Sequence, residues 1–167
     1  LVMDIKLQIK NFVNHARAMK FMKENSVYVG IPQEETTRDE DGITNAELLF
    51  IHTNGSPKNN IPARPVIEPA IKNDKERLTS MMKKASRLVF EGNKQEAIRQ
   101  LKLVGMRGQN ISRAWFVNPE NGWPPNSPGV YRRKLAKGST DPKPLIDTGE
   151  LRKSITYVVV TKEGRTK

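Results

Sequence analysis

The stretch NNIPARPVIEPAIK, from Asn59 to Lys72, constrains the fold more than any other part of the chain. Pro62, Pro65 and Pro69 each push the residue before them, Ile61, Arg64 and Glu68, toward extended backbone. Interleaved with them are Ile61, Val66, Ile67 and Ile71, which a solvated linker would not carry. The segment is therefore stiff and partly apolar. It is either a rigid structural corner or a surface that another chain reads. Proline is tolerated in a first helical turn, so Pro69 marks a place where a helix can begin.

A helical pattern does follow. Leu78, Met81, Met82, Ala85, Leu88 and Val89 make one apolar stripe, with Lys75, Arg77, Lys83, Lys84 and Arg87 on the other faces. Gly92-Asn93 breaks it, and a second helix is expected from about Lys94 to Phe116. There Ile98, Leu101, Gly105, Gly108, Ile111 and Trp115 recur at helical spacing. Two glycines on an apolar helix side, each costing about 1 kcal/mol against alanine, point to close approach of a neighbouring backbone. The two helices are expected to form a hairpin.

Upstream, Met3, Ile5, Leu7 and Ile9 alternate as in a strand or open a helix, and Phe12, Ala16, Met19 and Met22 form a candidate helical stripe. SVYVGIP reads as a strand ended by Pro32, with Val27 and Val29 on one face. Gln33 to Gly42 holds no apolar residue and reads as an acidic loop; it lacks the spacing and closing glutamate of a calcium-binding EF-hand. Thr44 and Glu47 form a capping box before a short helix over 45–53, which Gly55 stops. His52 and His15 are the only histidines, and packing or capping suits His52 better than catalysis.

Val117 to Pro144 is a 28-residue excursion with many prolines, anchored by Trp123 and Tyr131 and charged by Arg132, Arg133, Lys134 and Lys137. PLIDTGELRKSITYVVV then reads as a turn, a short helical turn capped by Asp147 or Thr148, and a strand over Ile155–Val160. Gly149 sits where positive φ is expected.

Composition limits the function classes. The chain has 167 residues, 36% of them hydrophobic and 6% aromatic, which suits a single domain over 1–167 with a modest core. There is no cysteine, hence no disulfide and no thiolate metal site. No apolar run reaches membrane-helix length, and LVMDIK lacks the regions of a signal peptide. Leu1 suggests a start at Met3 or a trimmed chain. Net charge is +11, and it is uneven: residues 1–60 hold seven Lys/Arg against eight Asp/Glu, residues 61–167 hold 22 against ten. Such a surface attracts nucleic acid or an acidic protein face, or simply aids solubility. Asp141, Asp147 and Glu150 lie close enough in sequence to imagine a nuclease metal site, but loop and capping roles are simpler. No catalytic, cofactor or metal residue is expected. A free nucleic-acid-binding protein is a further alternative, though zinc ligands, a helix-turn-helix and clustered stacking aromatics are missing.

The order VYVGIP, NAELLFIHTNGS, NIPARPVIEPAI, two helices and KPLIDTGELRKSITYVVV resembles a family of tailed-phage neck, tail-completion or minor virion-morphogenesis proteins. The resemblance spans Val27 to Val160. It is carried most by Ile61, Pro62, Arg64 and Pro65 of IPARP and by Asp147, Thr148 and Gly149 of PLIDTGELRKSI. It implies an α+β fold, a small, mostly antiparallel sheet packed against two long helices with long loops. It also implies a sixfold or twelvefold homo-oligomeric ring at the head–tail junction, in contact with other neck, connector and tail proteins, made in the host cytoplasm and needing no cofactor, membrane or catalysis. Tail terminators occupy a nearby position. The chain departs from the family at Thr53 and Asn54, where an acidic and an aromatic residue are usual, which implies different packing around His52. In such a ring, Arg132, Arg133, Lys134 and Lys137 would face passing DNA without reading bases, or meet the acidic Glu34–Asp41 loop of a neighbouring subunit.

Overall fold

The computed structural model describes residues 5–32 and 42–166. The acidic Gln33–Asp41 stretch lies outside the described residues. The fold is α+β, with seven helices and a three-stranded antiparallel sheet among the described residues. In chain order the elements are α1 (Ile5–Glu24), β1 (Ser26–Gly30), α2 (Asn45–Asn54), α3 (Ile67–Asn73), α4 (Lys75–Phe90), α5 (Lys94–Trp115), α6 (Pro128–Ala136), α7 (Glu150–Ser154), β2 (Thr156–Thr161) and β3 (Gly164–Thr166). The sheet order is β1-β2-β3, and β2 pairs with β3 in the register Val159 to Thr166 and Thr161 to Gly164.

The chain groups into two compact units, each assembled from separated segments. The first comprises residues 1–28, 74–108 and 157–167. Its core is Ala18 and Phe21 of α1, Ala85 and Val89 of α4, Ala97 and Leu101 of α5, and Val159 of β2. The α4–α5 hairpin forms as the periodicity requires, with the basic residues of α4 all exposed. The expected long first helix is in fact two, because the chain breaks at Asp74 between α3 and α4. The Asp74 carboxylate accepts two hydrogen bonds from the Arg107 guanidinium, tying the start of α4 to α5.

The N-terminal stretch is helical, not a strand, and its predicted stripe does not face the core. Phe12 is 75% exposed and Met19 74%, and Ala16 is exposed between them. Helix α1 instead buries Ala18 and Phe21, with Met22 partly buried behind them. The spacing identified a helix but put the wrong face inward.

The second unit comprises residues 29–73 and 109–156. Its core is Leu49 of α2, Val66, Ala70 of α3, Trp115 and Phe116, Leu151 of α7 and Ile155. The capping box of α2 is present: the Glu47 amide donates to Thr44 Oγ1 at 3.1 Å, and the Thr44 amide donates to Glu47 Oε2 at 2.8 Å. Gly55 ends the helix at φ 73°, and a Cβ there would lie 2.8 Å from the Ala63 nitrogen and 2.9 Å from the Ile61 oxygen. Glycine is thus required twice over, by backbone angle and by space.

The 117–144 excursion is not the structureless loop the prolines suggest. A 3-10 turn over Pro119–Asn121 and the nine-residue α6 occupy much of it.

Candidate functional site

The proline corner is a clasp. Ser56 and Ile61 exchange backbone hydrogen bonds of 2.8 and 3.0 Å, and the Arg64 amide donates to the His52 carbonyl at 2.6 Å. The Arg64 side chain then turns inward and is only 7% exposed. Its guanidinium donates to the Pro124 carbonyl at 3.1 and 2.9 Å and to the Pro125 carbonyl at 2.9 Å. One residue on, the Pro65 carbonyl accepts from Trp123 Nε1 at 2.9 Å. The Trp123 ring meets Phe116 edge-on, with centroids 5.7 Å apart. Consecutive residues of IPARP therefore lock onto Trp123–Pro125, some sixty positions away in sequence. The planar fork of arginine lets two adjacent nitrogens of one side chain meet both carbonyls in a fixed geometry.

The second motif lies beside the first. Ile61, Pro62 and Arg64 line the same cleft as Asp147, Thr148 and Gly149, with a volume of about 1040 Å³. Gly149 adopts φ 81° immediately before α7, as expected. The Glu150 amide donates to Thr148 Oγ1 at 3.4 Å, a long bond, while Asp147 is exposed and 3.9 Å from Lys137. Neither candidate caps α7 as expected: the N-cap position is Gly149, and no side chain caps the helix. A Cβ on Gly149 would meet nothing within 4 Å. Gly149→Val is expected to cost about 1–3 kcal/mol through backbone strain alone. Gly149→Asn, which tolerates left-handed φ better, should cost less. Equal melting temperatures for wild type and Gly149→Val would remove the strain argument.

Of the four basic residues expected to face a partner, Lys134 does not. It is 9% exposed, and its ammonium donates to the carbonyls of Lys143, at 2.7 Å, and Ile146. Burial lowers its pKa, only partly opposed by Asp147. Lys134 is an internal brace under the 143–146 segment. Arg132, Arg133 and Lys137 are exposed. Two further bonds had no sequence signal: Arg113 donates to the carbonyls of Ile155 at 2.9 Å and Lys153 at 2.6 Å, fixing the passage from α7 into β2.

His52 lines the cleft, and its Nδ1 is buried with no hydrogen-bond partner among the described residues. Burial lowers its pKa below 6.5, and the nearby Arg64 charge adds to the effect. The folded state therefore binds this proton later than the unfolded chain as pH falls. Stability should drop as pH falls from about 6.5 to the lowered value, then level off. His52→Gln should flatten that part of a urea-midpoint-against-pH curve, and an identical curve would show that His52 does not contribute. Among the described residues no group of three or more His, Asp or Glu could hold a metal ion. Asp141 pairs with Lys143 at 2.9 Å.

Grouping by unit changes where the charge lies. The first unit carries 17 Lys/Arg against seven Asp/Glu, net +10, and the second 12 against 11, net +1. Most of the positive excess belongs to the first unit; the 117–144 excursion, with five Lys/Arg against two Asp/Glu, is itself net +3, offset by acidic residues elsewhere in the second unit. Comparison with protein-family models, with curated proteins and with solved structures finds no match. No helix among the described residues is long and apolar enough to cross a membrane.

Proposed function

We propose that this chain is a structural virion protein of a tailed phage, a neck or tail-completion subunit that forms a ring at the head–tail junction and helps join the DNA-filled head to the tail. The observation that carries this reading is the convergence of the two resemblance motifs. IPARP and DTG are more than eighty residues apart in sequence yet line one cleft, so they act as one structural unit, and the bonds of Arg64 and Trp123 are internal. These internal bonds support reading the prolines as a corner that stiffens a contact surface. Exposed Phe12, Met19 and Phe50 suit a subunit whose surface is completed by neighbours. The test is a phage in which this chain is deleted. DNA-filled heads and unjoined tails should accumulate, and the purified chain should restore joining. Normal particles in the deletion would overturn the reading.

The net +10 of the first unit favours proximity to DNA as part of this role. Binding to duplex DNA should be weak, independent of sequence and steeply weakened by salt. Neutralising exposed Lys83 and Lys84 should flatten the logarithmic salt slope by about 0.9 for each phosphate that the variant no longer neutralises. Arg132→Ala with Arg133→Ala should change it less, because the second unit is nearly neutral. Tight binding to one sequence at physiological salt would instead favour a free DNA-binding protein.

A further inference from the structure

Two exposed helix faces on this chain complement each other. On α1, Ile9, Phe12, Ala16 and Met19 recur at i, i+3, i+7 and i+10, and all are exposed. One edge of this stripe is net basic: Lys6, Arg17 and Lys20 are exposed along it, with Glu24 3.9 Å from Lys20. On α2, Phe50 is 70% exposed, one turn from exposed Glu47 and Asn54, with Ile43 exposed just before the helix. The capping bonds from Thr44 lower the Glu47 pKa, so this face carries a fixed negative charge.

We propose that the α1 stripe of one copy docks on the α2 face of the next, a head-to-tail contact that repeats from subunit to subunit. The inference rests on the ring reading above and names its contact. Apolar stripes of this size are normally covered, and the charge selects what covers this one. Two other helix faces among the described residues expose apolar side chains, Tyr131 and Leu135 on α6 and Leu103 and Met106 on α5; the first is flanked by Arg132 and Lys137 and the second by Arg99 and Lys102, so both would repel the basic edge of α1. An antiparallel pair of α1 helices would set Lys6, Arg17 and Lys20 against their own copies. The α2 face, apolar with Glu47 on its flank, carries the opposite charge. Two different faces on each copy permit a heterologous contact, the type that builds a closed ring or a filament, whereas a reciprocal exchange of the same faces would stop at a dimer.

The full chain tests this by native mass spectrometry. Wild type should assemble beyond a dimer. The double variant Phe12→Asp/Met19→Asp and the single variant Phe50→Asp should each be monomeric, with melting temperatures near wild type because the altered side chains are exposed. An equimolar mixture of the two should form a one-to-one heterodimer and nothing larger, since it retains a single intact pair of faces. Tyr131→Asp should assemble like wild type. A monomeric wild type, a mixture that stays monomeric, or assembly surviving in Phe50→Asp would each overturn the contact. Assembly that survives in Phe50→Asp leaves the ring reading standing, whereas a deletion phage that still joins heads to tails removes that reading whatever the contact.

Discussion

Arg64→Ala is expected to lower the stability of the folded chain by about 2–4 kcal/mol, and to do so without touching any exposed surface. The guanidinium is buried and makes three hydrogen bonds to two carbonyls, those of Pro124 and Pro125. Hydrogen bonds from a charged donor contribute about 1.5–3 kcal/mol each, but Pro124 and Pro125 are exposed residues, so water recovers part of the loss. Two further substitutions separate charge from shape. Arg64→Met keeps the stem and removes the buried cation, and should be the mildest of the three. Arg64→Lys keeps the charge, but its ammonium is shorter in reach and lacks the two planar, spaced nitrogens that meet Pro124 and Pro125, so it should leave a buried charge poorly paired and cost more than methionine. Urea unfolding gives the order. If lysine is the mildest, charge and not the fork is what matters, and the clasp account fails. A second readout is Trp123, whose Nε1 is held by Pro65. Its fluorescence should shift to the red in Arg64→Ala as the 123–125 segment loosens, while a chain merely less stable but unaltered in the folded state would keep the wild-type spectrum.

How legible this was differs from element to element, and the differences have physical causes. The helices α4 and α5, the capping box of α2, the stop at Gly55 and the turn at Gly149 rest on local rules of period, capping and backbone angle, and the sequence carries all of them. The division at Asp74 was not legible, because a chain can bend at an aspartate without any breaker residue and Arg107 is 33 positions away. Helix α6 left a trace that the prolines obscured: Ser127-Pro128 is a sound helix opening and Gly138 a sound end. Had that helix been recognised, Lys134 would have fallen one turn after Val130, which lines the cleft, and would no longer have counted among the partner-facing cations. The α1 stripe failed for a different reason. Periodicity shows that a helix has an apolar face, but it does not show whether the core or another molecule covers it. Of the site, the two motifs were visible in the sequence. Their convergence was not, because it depends on Arg64 and Trp123 finding partners some sixty residues away.

Gly105→Ala is the sharpest test of packing in the first unit, because two established effects predict opposite signs. As a propensity change, glycine to alanine inside α5 should stabilise by about 1 kcal/mol. The space opposes it. A Cβ on Gly105 would lie 2.2 Å from Cδ2 of Tyr157, 2.7 Å from Cγ and 2.9 Å from Cε2. The sequence suggested a close backbone; the neighbour is an aromatic ring on β2. Contact at Cγ involves the base of the ring, so a swing of its tip gives no relief, and either the Tyr157 rotamer or the helix must shift. We expect overpacking to win, with Gly105→Ala destabilising by about 1–3 kcal/mol and Gly105→Leu by at least as much. The decisive measurement is a double-mutant cycle. In a Tyr157→Ala background the obstruction is gone, and Gly105→Ala should become neutral or stabilising. A coupling energy of about 1–4 kcal/mol between positions 105 and 157 follows for a pair that shares no polar bond. Additive effects, or a raised melting temperature for Gly105→Ala in the wild-type background, would mean that Gly105 is only a weak point in the helix and that the ring of Tyr157 does not need its missing side chain.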